Sequence, residues 1–412
     1  MAFAMITVLF FVFGFITCLN DILVPHLKSL FQLSYTQAAL VQFCFFSAYF
    51  FASLPAGKIV TRLGYKLGTV MGLLITAVGC VIFYPAAGLQ SYPLFLTGLF
   101  VLASGITLIQ VAVNPYIAVL GPSNTASARL NLAQAFNSLG TTIAPVFGSM
   151  FILSSVLNAG PDKAEQASSV QGPYIGLAIA LIVLAAAMAL FKLPAIEGSE
   201  DGAVKAGPKR SAWSHRHLVL GALGIFCYVG AEVAIGSYLV NFMGLPAIGG
   251  LAEADAAKLV SLYWGGAMVG RFFGAAVLRK INPGKVLAFN ALIACVLVIL
   301  AMVTSGTFAM YALLGVGLVN SVMFPTIFTL AIEGLGEATA QGSGILCMAI
   351  VGGAVVPLCQ GRLADILGLQ HSYLLPVVCY LYIVYYGVRG HEARVAAASP
   401  KGSASVLAQQ AL

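Results

Sequence analysis

Long apolar runs follow one another through almost the whole chain, parted only by short polar turns. That succession constrains the fold more than any motif does. Lipid offers the backbone no hydrogen-bond partner, so a crossing segment must be an α-helix or a strand of a closed barrel. Barrel strands alternate in polarity over about ten residues. These runs stay apolar over about twenty, the length a helix needs to cross the hydrocarbon. The expected fold class is therefore an all-α membrane protein. We place twelve spans, at roughly 2–27, 36–60, 67–89, 92–119, 130–156, 172–192, 216–243, 257–279, 285–304, 307–332, 340–366 and 371–389. Composition agrees: 60% of the 412 residues are hydrophobic and 8% charged, against about 25% charged in a soluble globular chain. The 44 glycines suit close approach of helices in lipid.

Charge orients the spans. Arg62 and Lys66, then Lys205, Lys209, Arg210 and Arg216, then Arg279, Lys280 and Lys285, and Arg389, Arg394 and Lys401 fall on the even-numbered connections and the tail. The positive-inside rule places those connections and both termini of this multi-pass protein in the cytoplasm. The polar stretch from 194 to 215 breaks the apolar pattern and divides the chain into a six-helix bundle at 1–193 and another at 216–390, with a cytoplasmic tail at 391–412. An internal repeat supports that division. Gly57, Arg62, Gly64 and Lys66 after span 2 are echoed by Gly274, Arg279, Lys280, Gly284 and Lys285 after span 8. Two six-span halves related as a parallel repeat are the architecture of the major facilitators. The apolar N-terminus lacks a basic leader region and reads as the first span, not a cleaved signal.

Several function classes are excluded. The net charge of +7 is dispersed over short loops, not gathered on a nucleic-acid-binding face. The eight cysteines lie in apolar stretches without a CxxC pair, so neither a metal site nor a disulfide framework is implied. No phosphate-binding loop, GxSxG or HExxH occurs, so an ATP-driven pump or an enzyme is not expected, and no cofactor is implied.

Polar groups inside the spans carry the functional reading. Asp21 follows Asn20 in span 1, and a carboxylate at a span centre costs about 2.5–3.5 kcal/mol to insert. Such groups face cavities and serve ion or proton paths; a helix-end cap or a pair with Lys28 is the structural alternative. Glu232, in the middle of span 7, is the most deeply placed acid. The repeat offset of 217 pairs Asp21 with Tyr238, six residues past Glu232, which sets Glu232 about 9 Å nearer the cytoplasm. Two carboxylates at two depths suit a proton relay, or one proton site and one ligand-binding acid. Amides accompany them: Gln42, Gln110, Asn114, Asn131, Gln134, Asn137, Asn241, Asn290 and Asn320. An amide donates and accepts together, which matches sugar hydroxyls; interhelical bonding is its other common use. Tyr116, Phe136, Tyr228 and Tyr238 are placed to stack on a sugar ring or simply to pack. Asn114-Pro115, Pro145, Pro325 and Gly352-Gly353 with Pro357 mark bent or broken spans, tolerated where a helix lines a cavity. Gly57, Arg62, Gly64 and Lys66, with Arg271 and Arg279 in the second half, form a candidate gate; as positive-inside anchors the basic residues need no further role.

Larger blocks are more specific. Phe13 to Leu27, Gln42 to Phe50, Pro55 to Gly57, Gln110 to Tyr116, Arg129 to Gly140, Tyr228 to Ala231, Phe324 to Phe328 and Gly352-Gly353 resemble the fucose–galactose–glucose proton-symporter family of the major facilitator superfamily. The resemblance spans nearly the whole chain. It implies an inner (plasma) membrane protein that imports a monosaccharide with a proton by alternating access; a monomer is expected. Where the superfamily signature carries an acid before its arginine, this chain has Val60-Thr61. In the L-fucose permease branch an Asp in span 1 and a Glu in span 4 are tied to coupling and sugar binding. Asp21 matches the first, Gln110 occupies the second, and Glu232 stands where that branch has Gln. This exchange is more similar to the glucose/galactose and N-acetylglucosamine members. The implied proton-coupling residues are Asp21 and Glu232. The implied sugar ligands are Asn20, Gln42, Gln110, Asn114, Gln134, Asn137, Tyr228, Glu232 and Asn320. An L-fucose symporter, or an uncoupled or sodium-coupled facilitator, stays open as an alternative, and a multidrug exporter or a sugar sensor is a more distant one.

Overall fold

The computed structural model describes residues 2–30, 35–148, 171–191 and 211–392, with side chains described at 3–18, 41–144, 171–191 and 211–392. Among these residues the regular elements are helices only. The first half contributes α1 (Ala2–Leu30), α2 (Tyr35–Gly88), α3 (Tyr92–Val119), α4 (Ala126–Gly148) and α5 (Gln171–Leu190). The second contributes α6 (Arg216–Gly244), α7 (Glu253–Val277), α8 (Pro283–Val303), α9 (Gly306–Asn320), α10 (Met323–Ile332), α11 (Thr339–Met348), α12 (Gly352–Leu367), α13 (Leu369–Ser372) and α14 (Leu374–Tyr385). Among the described residues these elements make twelve spans, because α2 is two limbs while α9–α10, α11–α12 and α13–α14 are each one span in pieces. Eight stretches of the described chain meet the length and apolarity of a membrane crossing, and Phe3–Cys18 is a shorter apolar helix. The end of span 5 beyond 148, most of the linker between the halves and the tail beyond 392 lie outside the described residues.

Local chemistry explains the departures from twelve plain rods. Gly64 joins the limbs of α2 at φ 77°, ψ 169°, and no atom lies within 4 Å of a Cβ built there. The demand for glycine at this turn is therefore one of backbone conformation. Pro325 has no N–H for the Ser321 carbonyl one turn back, and the span breaks there between Asn320 and Met323. Span 11 tightens into a 3₁₀ turn at Ala349–Val351 before Gly352-Gly353. Asn282 caps α8 by accepting from the Lys285 N–H at 3.2 Å, with Pro283 in the first turn.

Helix α1 packs on α4, and α2 on α3 and α5; α6 packs on α10, α12 and α14, and α8 on α9 and α14. Contacts between the halves run through α2–α11, α4–α7, α4–α10 and α3–α11. Phe50, Phe51, Ile182, Val183, Phe289 and Leu358 are exposed on the outside, an arrangement natural to lipid. Polar side chains turn inward instead, and this inversion sets up the site.

Candidate functional site

Glu232 sits half-buried in the middle of α6. Tyr228 lies one turn earlier on the same face. Its hydroxyl donates to Glu232 Oε1 at 2.9 Å, and the ring is 1% exposed. Behind them a chain of hydrogen bonds crosses three further helices. Tyr380 Oη of α14 donates to Asn320 Oδ1 at 2.8 Å, Asn320 Nδ2 of α9 donates to Tyr263 Oη at 2.9 Å, and Tyr263 Oη of α7 donates to the Glu232 carbonyl at 3.2 Å. Tyr263, Asn320 and Tyr380 are fully buried. Both ends of the Asn320 amide are thereby occupied, and in this state it braces the Glu232 helix from behind. Among the described residues, the second oxygen of Glu232 takes no hydrogen bond.

The first half presents amides. Gln110 of α3 donates to Tyr49 Oη at 2.7 Å. Asn137 of α4 donates to the Phe10 carbonyl of α1 at 3.0 Å. Gln134 is 5% exposed, one turn of α4 before Ser138. Asn114 is fully enclosed, and neither atom of its amide has a partner among the described residues. Gln42 is exposed on the first limb of α2. Asn20 and Asp21 belong to α1, but their side chains lie outside the described residues.

Arg271 of α7 ties the halves together. Its guanidinium donates to the Ser138 hydroxyl and to the Gln134 carbonyl (3.4 Å) on α4, and its Nε to the Ser321 carbonyl at 3.4 Å. Asn131 Nδ2 returns a bond to the Arg271 carbonyl at 2.7 Å. The guanidinium is spread over neutral oxygens, and the ion pair found among the described residues is elsewhere, between exposed Lys258 and Asp255 at 2.8 Å.

Toward the end carrying the basic turns, the halves meet closely. A Cβ on Gly344 would stand 2.8 Å from the Ser53 carbonyl oxygen, and one on Gly57 3.2 Å from that of Ala340. Small residues four apart on each helix, Ser53 and Gly57 against Ala340 and Gly344, let the backbones touch. Gly274, the repeat partner of Gly57, is pressed against Val322 of its own half and Asn131 of the other. Ser127 and Thr329 share a hydrogen bond of 2.6 Å across the same junction. Beyond it opens a cavity of 1720 Å³ lined by Arg62, Gly64, Arg279 and Lys280 together with Glu333 and Glu337. Arg62, Lys66 and Arg279 make no side-chain hydrogen bond among the described residues. Arg129 does what such a basic group can do at a helix end: it bonds the carbonyls of Ile117, Ala118, Gly121 and Pro122 at the close of α3.

Sequence reasoning did not single out Tyr49, Ser138, Tyr263, Ser343 or Tyr380. A lone hydroxyl in an apolar run changes neither its period nor its length, so only the neighbours reveal it.

Comparison with known proteins follows the same lines. The sequence pattern of the Major Facilitator Superfamily matches residues 5–357. The glucose/galactose transporter of Brucella abortus biovar 1 (strain 9-941) is 56% identical over 387 residues, covering 94% of this chain and 93% of its own. The L-fucose-proton symporter of Escherichia coli (strain K12) is 36% identical over 402 residues, covering 93% and 92%. A crystal structure of the major facilitator FucP in the outward conformation superposes with a TM-score of 0.86 at 36% identity, covering 95% of this chain and 98% of that one.

Proposed function

The chain belongs to the Major Facilitator Superfamily, and we propose that it is a secondary transporter that imports a hexose of the glucose/galactose type together with a proton. The observation that carries this reading is Glu232. It is a half-buried carboxyl in the middle of a span, oriented by Tyr228, with one oxygen unengaged among the described residues. A proton there makes the group a donor to a sugar hydroxyl, and its loss leaves an acceptor. Proton and sugar are then coupled at one atom. The relatives' names support the substrate class, as glucose/galactose transporters at 56% and 48% identity.

In this reading Asp21 and Glu232 carry the proton. Asn20, Gln42, Gln110, Gln134, Asn137 and Tyr228 contribute to holding the sugar, with Asn114 and Asn320, enclosed in this state, behind them. The six-span bundles 1–193 and 216–390 rock about the site between them. The basic turns face the cytoplasm of an inner-membrane, monomeric, multi-pass protein with both termini inside. The joined state at Gly57, Gly344, Ser127 and Thr329 is then the one in which the halves are held together toward the cytoplasm. Gly57, Arg62, Gly64, Lys66, Arg271 and Arg279 belong to that gate. L-fucose is the second reading, favoured by the 36% identical L-fucose-proton symporter.

The test is proton uptake by de-energised vesicles on addition of glucose, galactose, N-acetylglucosamine, fucose and mannose in turn. Alkalinisation with glucose or galactose is expected. Alkalinisation with fucose alone would overturn the substrate class. Counterflow without alkalinisation would remove the proton, and exchange of Na⁺ for K⁺ would then decide between sodium coupling and none.

A further inference from the structure

Pro115 in α3 has no N–H to give the Val111 carbonyl one turn back. That carbonyl lies in a fully buried stretch of α3. It accepts instead from Ser343 Oγ at 2.9 Å, and Ser343 belongs to α11 in the other half. Ser343 adjoins Gly344, the residue at the closest crossing with α2. Any parting of the halves at that crossing therefore removes the only side-chain donor that the Val111 carbonyl has among the described residues.

Beside it sits an idle donor. Asn114 is three residues after Val111, fully enclosed, with both amide atoms unpartnered among the described residues. A buried amide bonded at neither end is unfavourable, so this state holds it at a disadvantage. An asparagine within a span of this chain does turn back onto its own helix: Asn290 Nδ2 donates to the Val286 carbonyl four residues earlier at 2.8 Å, a reach one residue longer than that from Asn114 to Val111. The pattern of a proline-freed carbonyl served from another helix also recurs. Pro325 leaves the Ser321 carbonyl open, and Arg271 Nε donates to it.

We propose that Ser343 and Asn114 are alternative donors to the carbonyl that Pro115 leaves open. Ser343 holds it while the basic end is closed, and Asn114 takes it when that end opens. The exchange keeps the Val111 carbonyl bonded in both states, and it relieves the Asn114 amide only in the open one. In this role both are positioning residues for transport, acting on the balance between conformations. The inference rests on the alternating-access reading.

The experiment measures distances between spin labels on cysteines replacing the exposed Lys58 and Glu337, in the full chain with its eight native cysteines replaced. Two populations are expected, one short for the closed basic end and one long for the open. Ser343→Ala should raise the open-to-closed ratio about five- to tenfold. Asn114→Leu, which fills the same space without an amide, should lower it by a similar factor. Pro115→Ala restores the helix's own N–H, and in that background Ser343→Ala should change the ratio less than about twofold. Two populations unmoved by Ser343→Ala, or a Ser343→Ala effect undiminished beside Pro115→Ala, would overturn the inference and leave the transporter reading standing. If Ser343→Ala does not yield folded protein, Asn114→Leu decides alone: a shift toward the open state refutes it. A single population in every variant, unchanged by sugar, would overturn both readings.

Discussion

Gly344→Ala should unlock the end of the molecule that carries the basic turns. The added Cβ would stand 2.8 Å from the Ser53 carbonyl oxygen, whereas ordinary contact begins at 3.4 Å. The helices must therefore separate by the difference, 0.6 Å. The obstacle is backbone, so no rotamer change relieves it. Overpacking of this kind costs about 1–3 kcal/mol. In a molecule that alternates between two states, only the closed one bears that cost, which shifts the balance toward the open state by about 5- to 150-fold. Gly57→Ala meets the Ala340 carbonyl oxygen at 3.2 Å and needs only 0.2 Å of relief, so its effect should be distinctly smaller. The assay is the alkylation rate of a single cysteine replacing Val60, which is 2% exposed and lines the mouth of the cavity at that end. Faster labelling is expected in the order Gly344→Ala, Gly57→Ala, unsubstituted. Unchanged labelling in Gly344→Ala, or a larger effect from Gly57→Ala, would refute the idea that this crossing is where the halves part.

Other substitutions test the site itself. Glu232→Gln keeps an acceptor for Tyr228 but cannot exchange a proton; sugar counterflow should persist while sugar-driven alkalinisation disappears, and persistence of both would take the proton from Glu232. Tyr228→Phe removes the bond that orients the carboxyl, worth about 1.5–3 kcal/mol for a charged partner, and should raise the half-saturating sugar concentration at least about tenfold in initial-rate uptake. Tyr263→Phe leaves the buried Asn320 Nδ2 without an acceptor, a loss of about 1–3 kcal/mol, to be read as earlier thermal unfolding in detergent; an unchanged transition would mean the brace carries no weight. Asp255→Asn breaks the exposed ion pair with Lys258 and should alter stability by less than about 1 kcal/mol.

Lipid is a severe solvent, and that severity made much of the fold legible. A span must be apolar and helical for about twenty residues wherever its partners lie. Span 4 accordingly stands at 92–119 by sequence and at Tyr92–Val119 in the structure. The two glycines of the repeat both stand where space is short, Gly57 against the backbone of the other half and Gly274 against Val322 of its own half and Asn131 of the other. Glu232 announced itself as a charge that lipid would reject. The uses of the amides were not legible. Asn320 is engaged at both ends by tyrosines, Asn137 bonds the backbone of α1, and Asn114 bonds nothing in this state. In sequence they are equivalent polar interruptions of apolar runs. Hydrophobicity records only that a group leaves lipid. Which donor meets which acceptor depends on helices brought together from distant parts of the chain, and a hydrogen bond must match within a few tenths of an ångström. The sequence by itself therefore determined that the chain is an all-helical membrane protein built from apolar spans. Tertiary packing alone decided that Ser343 would meet the carbonyl Pro115 had left open, and that Arg271 would reach across to Ser138.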